Sequence, residues 1–276
     1  MPEAVNRPVD RDRLSVVLAV LILSSVLFRF IELPEYVLRL DVLGSPLAIH
    51  VTNSLVLVGL TIGLACTGTS LVLQDHPLLT GDSGRRIYVL SVLPGALAGL
   101  SAYLLSLAPT LGLWLGGLTV FGIALGLTIS AENATVSSES SSYPAARLVL
   151  NMLAYLIAFL LFLLIYRTRT RSLVTATLTL VIAVLLSIDL LSVADVPLAR
   201  VLPFAGIVGL VIGQSTWALN YWQMSAWTGG AILLLIFYAF VNVAHQHLLE
   251  RLGPSVLIEF GVVAAGILLV VLISAR

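Results

Sequence analysis

Three kinds of residue are scarce in this chain of 276 residues: lysine, cysteine and charged side chains in general. All 14 basic residues are arginines, which excludes lysine Schiff-base chemistry and a P-loop lysine. The one cysteine, Cys66, excludes an internal disulfide and a cysteine-cluster metal site. The formal net charge is +0, so the basic surface that nucleic-acid binding requires is missing.

Apolar residues dominate what remains. The chain is 59% hydrophobic and 10% charged, and its mean hydropathy is +1.08. A soluble domain carries about 25% charged residues because its surface must be wetted. This composition therefore predicts an integral membrane protein.

The apolar residues form separate runs, each long enough to cross a bilayer. A spanning helix needs about 20 mostly apolar residues, and about nine segments meet that length. They are residues 14–30, 53–73, 87–107, 111–130, 148–166, 172–191, 201–217, 228–248 and 255–274. We predict an all-α fold, a polytopic transmembrane helical bundle that forms a single integral membrane domain over residues 1–276.

Two connections have a character of their own. Residues 36–51 alternate apolar and polar side chains around Gly44 and Pro46, which predicts a short interfacial hairpin after the first helix. Residues 131–146 are rich in serine, contain Glu132 and Glu139, and show no apolar period. We expect a flexible loop there.

The arginines give the orientation. Alternating spans place eight arginines on the side of the N-terminus and six on the opposite side, so the positive-inside rule predicts a cytoplasmic N-terminus. Arg167, Arg169 and Arg171 lie together on the opposite side and oppose that assignment.

A few polar residues fall within or at the ends of the predicted helices, all on the N-terminal side. They are Asp189, Glu259, His245, Asn242 and Asn151. An ionisable group inside a spanning helix costs about 2.5–3.5 kcal/mol, which makes it a candidate functional group. In one interpretation, these residues form a shallow polar pocket that binds a cation or exchanges a proton. In the alternative, their side chains reach the membrane interface and pair with Arg200 or Arg251.

Aromatic residues gather near the opposite end of the seventh and eighth predicted helices. Gln214, Trp217 and Tyr221 form a candidate ligand platform there, in which the amide of Gln214 is expected to be buried. An interfacial aromatic belt is the alternative interpretation. His245 and His247 are two residues apart and point about 200° apart on a helix, so we predict no metal site and no cofactor.

Glycines recur four residues apart, a spacing that lets helices approach closely. The pairs are Gly59 and Gly63, Gly95 and Gly99, Gly112 and Gly116, Gly122 and Gly126, and Gly209 and Gly213. We expect them to pack helices within the bundle or between protomers. Pro94 predicts a kink in the third helix.

Four short motifs resemble an uncharacterised family of bacterial multi-pass inner-membrane proteins. They are LGSPL at 43–47, AEN at 131–133, YPAARL at 143–148 and WALNY at 217–221. The resemblance implies a bacterial inner-membrane location and carries no activity with it.

Three functions remain open from the sequence. The first is a non-catalytic subunit or assembly partner of a membrane complex, since glycine faces are plentiful and no catalytic motif occurs. The second is a small transporter or channel that uses the intramembrane carboxylates. The third is an intramembrane enzyme acting on a lipid or another apolar substrate. The expected partners are membrane lipids and either other membrane subunits or further copies of the chain.

Overall fold

The computed structural model describes most of the chain between residues 10 and 269. The described residues are 10–31, 33–34, 36–42, 45–74, 84–136, 142–168, 172–192, 196–222, 224–250, 253, 261–262, 265–266 and 269. The chain divides into two compact units, Met1–Arg147 and Leu148–Arg276. The single membrane domain over residues 1–276 stays a prediction.

The architecture is helical, with one small hairpin. The helices are α1 (Arg11–Phe30), α2 (Asn53–Leu73), α3 (Gly84–Leu90), α4 (Val92–Ser106), α5 (Leu111–Ala134), α6 (Tyr143–Thr168), α7 (Ser172–Leu191), α8 (Leu198–Asn220) and α9 (Ala226–Leu248). Strands β1 (Tyr36–Val42) and β2 (Ser45–Val51) lie between α1 and α2. Eight helices in the described residues are long and apolar enough to cross a membrane, with Ile87–Ser106 counted as one.

In the first unit, four spanning helices pack around a common centre. Helix α1 contacts α2 and α5, and α4 also contacts α2 and α5, so α2 and α5 occupy opposite corners. Asn53 fixes the start of α2, because its Nδ2 donates to the carbonyl oxygens of Phe28 (3.2 Å) and Ile31 (3.1 Å). This bond ties α2 to the end of α1 across the hairpin.

The two strands between α1 and α2 form an antiparallel pair. β1 and β2 pair antiparallel from Tyr36 opposite Val51 to Val42 opposite Ser45. The two connecting positions, 43 and 44, lie outside the described residues. The place of the hairpin at the membrane surface stays a prediction.

The third spanning segment is interrupted at Ser91, between α3 and α4. Pro94 follows one turn later and has no N–H, so the carbonyl of Leu90 loses its helical donor. The interruption therefore falls where a proline is expected to bend a helix.

In the second unit, α7 and α8 form the closest helix pair. A Cβ on Gly213 would lie 3.1 Å from Cβ of Leu180, so glycine is what allows this approach. Polar bonds accompany it: the hydroxyls of Thr179 and Thr216 are 2.9 Å apart, and Asn220 Nδ2 donates to Thr175 Oγ1 at 2.7 Å. Hydroxyl and amide pairs of this kind hold spanning helices together.

Several predicted boundaries are corrected by the structure. Helix α5 continues to Ala134 and α6 begins at Tyr143, so parts of the predicted 131–146 loop are helical. Pro144 suits the first turn of a helix, where its missing N–H costs nothing. The ninth predicted helix, 255–274, lies mostly outside the described residues; the positions described within it are helical, at 261–262, 265–266 and 269.

Candidate functional site

The polar residues of the second unit gather where α7 and α9 end and α8 begins. Asp189 lies in the last turn of α7, Arg200 in the first turn of α8 and His247 in the last turn of α9. Helix α8 packs against both α7 and α9, so the three ends belong to one surface of this unit. We call this surface the polar end of the second unit.

A cavity of about 620 Å³ opens at this polar end. Its walls include the charged residues Arg200 and Glu250, the imidazole of His247, and the apolar side chains of Pro203, Phe204 and Leu248. The rings of Phe204 and His247 are in contact, with their centroids 5.1 Å apart. The cavity is open, since five of its seven described lining residues are exposed and the other two are half-buried.

Glu250 follows the end of α9 in a backbone conformation that residues other than glycine rarely adopt. Its φ is 56°, in the left-handed region. For a residue other than glycine this conformation costs roughly 1–2 kcal/mol. The turn places the Glu250 side chain on the wall of the cavity.

Asp189 is buried in the second unit, and Asn242 is half-buried on α9. Asp189 is 3% exposed. Asn242 Nδ2 donates to the Tyr155 hydroxyl at 3.2 Å and to the Tyr238 carbonyl at 2.7 Å. Neither residue is among the described residues that line the cavity. Asn242 therefore links α9 to α6 through its amide.

The other predicted members of the polar site occupy different environments. Asn151 is half-buried on α6, one turn before Tyr155, and His245 is half-buried near the end of α9. Glu259 lies outside the described residues. The structure thus places four of the predicted residues in one unit and joins Asn242 directly to the Tyr155 hydroxyl.

The predicted ligand platform faces outward. Trp217 is 50% exposed, and its Nε1 donates to the Tyr221 hydroxyl at 3.3 Å. The expectation that Gln214 is buried is wrong, because Gln214 is exposed. The inward face of α8 is formed by Ile212, Gly213 and Thr216, and Gln214 points away from it. The aromatic belt at a membrane interface stays a prediction, and outward-facing aromatic side chains are what it requires.

The predicted packing glycines divide into two groups. In the first, Gly95, Gly99, Gly209 and Gly213 lie against neighbouring helices, and a Cβ on Gly99 would lie 2.7 Å from Ile62. Gly122 and Gly126 face α1 at 3.5 and 3.3 Å.

The second group is Gly59, Gly63, Gly112 and Gly116. In the described part of the chain, no atom lies within 4 Å of the Cβ that any of them would carry. These four glycines are exposed, so they pack no helix of their own unit.

Glu132 is the polar residue that the sequence reasoning misplaced. It was expected in a loop, but it lies in the last turns of α5 and is 0% exposed. The buried face of α5 includes Leu125, Thr128 and Ile129, and Glu132 continues their three- and four-residue spacing. That periodicity was the signal in the sequence that could have located it.

Length and composition of the eight spanning helices indicate a multi-pass α-helical membrane protein. The chain belongs to the family described as protein of unknown function (DUF5656), whose model matches residues 33–274. The match confirms an uncharacterised family over most of the chain, while its bacterial inner-membrane character stays a prediction. No curated protein and no solved structure matches the chain.

Proposed function

We propose that the protein is a non-catalytic subunit or assembly partner of a membrane complex. The observation that supports this proposal is the second group of glycines, Gly59 and Gly63 on α2 and Gly112 and Gly116 on α5, which have no neighbouring atom within 4 Å of a Cβ among the described residues. Each pair is spaced four residues apart and therefore lies on one side of its helix.

An outward-facing glycine pair stabilises the protein only if another helix packs on it. Glycine destabilises a helix by about 1 kcal/mol relative to alanine, and in lipid it offers no side chain for packing. A partner helix recovers that cost, because small residues four apart let two backbones approach closely. Since α2 and α5 occupy opposite corners of the first unit, the two pairs form two separate contact faces.

A small transporter or channel is the second candidate, and the buried carboxylate of Asp189 favours it. Transport requires a hydrated path to that carboxylate. Asp189 is not among the described residues that line the cavity at the polar end. The assembly proposal therefore has the stronger support.

The experiment is purification of the full chain from membranes in a mild detergent, with quantification of every membrane protein that accompanies it. Two variants remove the faces separately: Gly59→Leu with Gly63→Leu, and Gly112→Leu with Gly116→Leu. Matched controls enlarge exposed neighbours on the same helices, Leu60→Phe and Leu113→Phe.

We expect wild type to retain a stoichiometric partner, either another membrane protein or a second copy, and at least one glycine variant to reduce it about tenfold. The leucine-to-phenylalanine controls should keep the partner. Wild-type protein that purifies as a single chain without any stoichiometric membrane protein would contradict the proposal.

A further inference from the structure

We propose that the cavity at the polar end of the second unit binds the zwitterionic phosphoester headgroup of a membrane amphiphile, with Arg200 on the phosphate and Glu250 on the ammonium. This proposal does not depend on the assembly function, because it rests on the second unit alone. It assigns a ligand class to a site formed by α8 and α9.

The charges on the cavity wall are the first observation that supports a headgroup ligand. Arg200 and Glu250 have opposite charges and line the same cavity, and both are exposed. Within the described residues, neither side chain is held in an ion pair. Two opposite charges on one wall match a ligand that carries both signs, and arginine is well suited to a phosphate because it can donate two parallel hydrogen bonds.

The start of α8 adds further donors for an anion. Pro197 caps this helix, and no side chain caps the first turn. The amides of that turn therefore point to the same end as Arg200 without an N-cap acceptor, and the helix dipole favours negative charge there. These donors support Arg200 but do not define the site by themselves.

The depth and the apolar wall identify the ligand as an amphiphile. Helix α8 has 23 residues and spans about 34 Å at 1.5 Å per residue, slightly more than a bilayer core of about 30 Å. Arg200 in its first turn therefore lies at the level of lipid headgroups. Pro203, Phe204 and Leu248 line the same cavity and offer an apolar surface for the glycerol and first acyl carbons.

Native mass spectrometry of the delipidated full chain tests this proposal. The probes are phosphatidylethanolamine, phosphatidylglycerol and diacylglycerol of matched acyl chains, and water-soluble phosphoethanolamine. The variants are Arg200→Gln, Arg200→Lys, Glu250→Gln and Ala199→Phe, which fills the cavity without changing its charge. Arg167→Gln, at an exposed arginine in the last turn of α6, is the matched control.

We expect phosphatidylethanolamine to bind at least about tenfold more tightly than diacylglycerol, and more tightly than phosphatidylglycerol. Arg200→Gln and Ala199→Phe should remove that binding, Arg200→Lys should keep part of it, and Arg167→Gln should leave it unchanged. Glu250→Gln should remove the preference over phosphatidylglycerol.

Three results would overturn the proposal. Equal binding of phosphatidylethanolamine and diacylglycerol would show that no charged headgroup is recognised. Equal binding of the two phospholipids to wild type would remove the role of Glu250. Phosphoethanolamine binding as tightly as the lipid would show that the apolar wall contributes nothing and that the ligand is a free phosphoester.

Discussion

The hydroxyl of Tyr166 on α6 closes the C-terminal end of α8. It donates to the carbonyl oxygens of Leu219 at 2.9 Å and Trp222 at 3.2 Å. These carbonyls lie at and just beyond the end of α8, where they also accept from the amides of Trp222 (3.0 Å) and Met224 (2.9 Å), and the Tyr166 hydroxyl adds a side-chain donor from another helix. The Tyr166 ring also packs on Gly229 of α9, so this buried side chain joins three helices of the second unit.

Tyr166→Phe should therefore lower the stability of the second unit by about 1 kcal/mol, the usual net value of such a bond. The measurement is the free energy of unfolding of the purified protein in mixed micelles. Tyr88→Phe is the control, since the Tyr88 side chain is 73% exposed. Equal stability of the two variants would show that the Tyr166 hydroxyl does not stabilise the end of α8.

At the residue scale, the sequence shows which residue types are present and how they are spaced, but not what surrounds each side chain in the fold. Asp189 is recognised because it interrupts an apolar run. Glu132 is missed because serines follow it and hide the helical period that continues through it. The Tyr166 contact is missed as well, since Gly229 and Gly230 are adjacent and do not show the four-residue spacing of a packing pair. Contacts between distant residues depend on helix rotation, which no local pattern gives.

At the element scale, glycine spacing determines how closely α8 approaches α7. A Cβ on Gly209 would lie 3.0 Å from the Leu180 carbonyl oxygen and would also clash with Val184. Gly206 is one turn earlier on the same helix, and no described atom lies within 4 Å of a Cβ placed there.

Gly209→Ala should consequently destabilise the protein by about 1–3 kcal/mol, because the added methyl group forces α7 and α8 apart. Gly206→Ala should be neutral or slightly stabilising, since alanine favours a helix over glycine. Unfolding of both variants in mixed micelles makes the comparison. Similar free energies for the two would contradict a close α7–α8 contact at Gly209.

Helix positions are more predictable than helix ends. The predicted segments 53–73 and 172–191 coincide with α2 and α7. The first helix starts at Arg11 rather than at residue 14, because the Asp10 side chain accepts from the amides of Asp12 and Arg13 and caps a charged first turn. An apolar run marks the part of a helix inside the membrane and overlooks polar turns beyond it.

The described residues of the whole molecule contain eight helices long and apolar enough to cross a membrane, and a ninth is predicted at 255–274. If the ninth segment spans, reporters fused after Leu248 and after Arg276 should report opposite sides of the membrane. The measurement is a pair of fusions to a reporter active only in the cytoplasm, with a second reporter active only outside it. Both fusions reporting the same side would contradict the ninth span.

The class of protein, a membrane protein, can be predicted from the sequence because the hydropathy of consecutive residues can be read directly from it. The cavity at the polar end cannot, because Arg200 and Glu250 are 50 positions apart and line one cavity only when α8 and α9 pack. The outward direction of Gly59 and Gly112 is equally hidden, since Gly95 and Gly209 have the same spacing and face inward. Which glycines remain for a partner is decided by the fold.

The most direct test of the assembly proposal is the mass of the protein part of the particle in a mild detergent. A single chain has a mass of 29.4 kDa. Wild type should exceed that mass by a second copy or a partner, and the variant with leucine at Gly59, Gly63, Gly112 and Gly116 should fall to the single-chain value while remaining folded. A wild-type particle of 29.4 kDa would contradict the proposed assembly role.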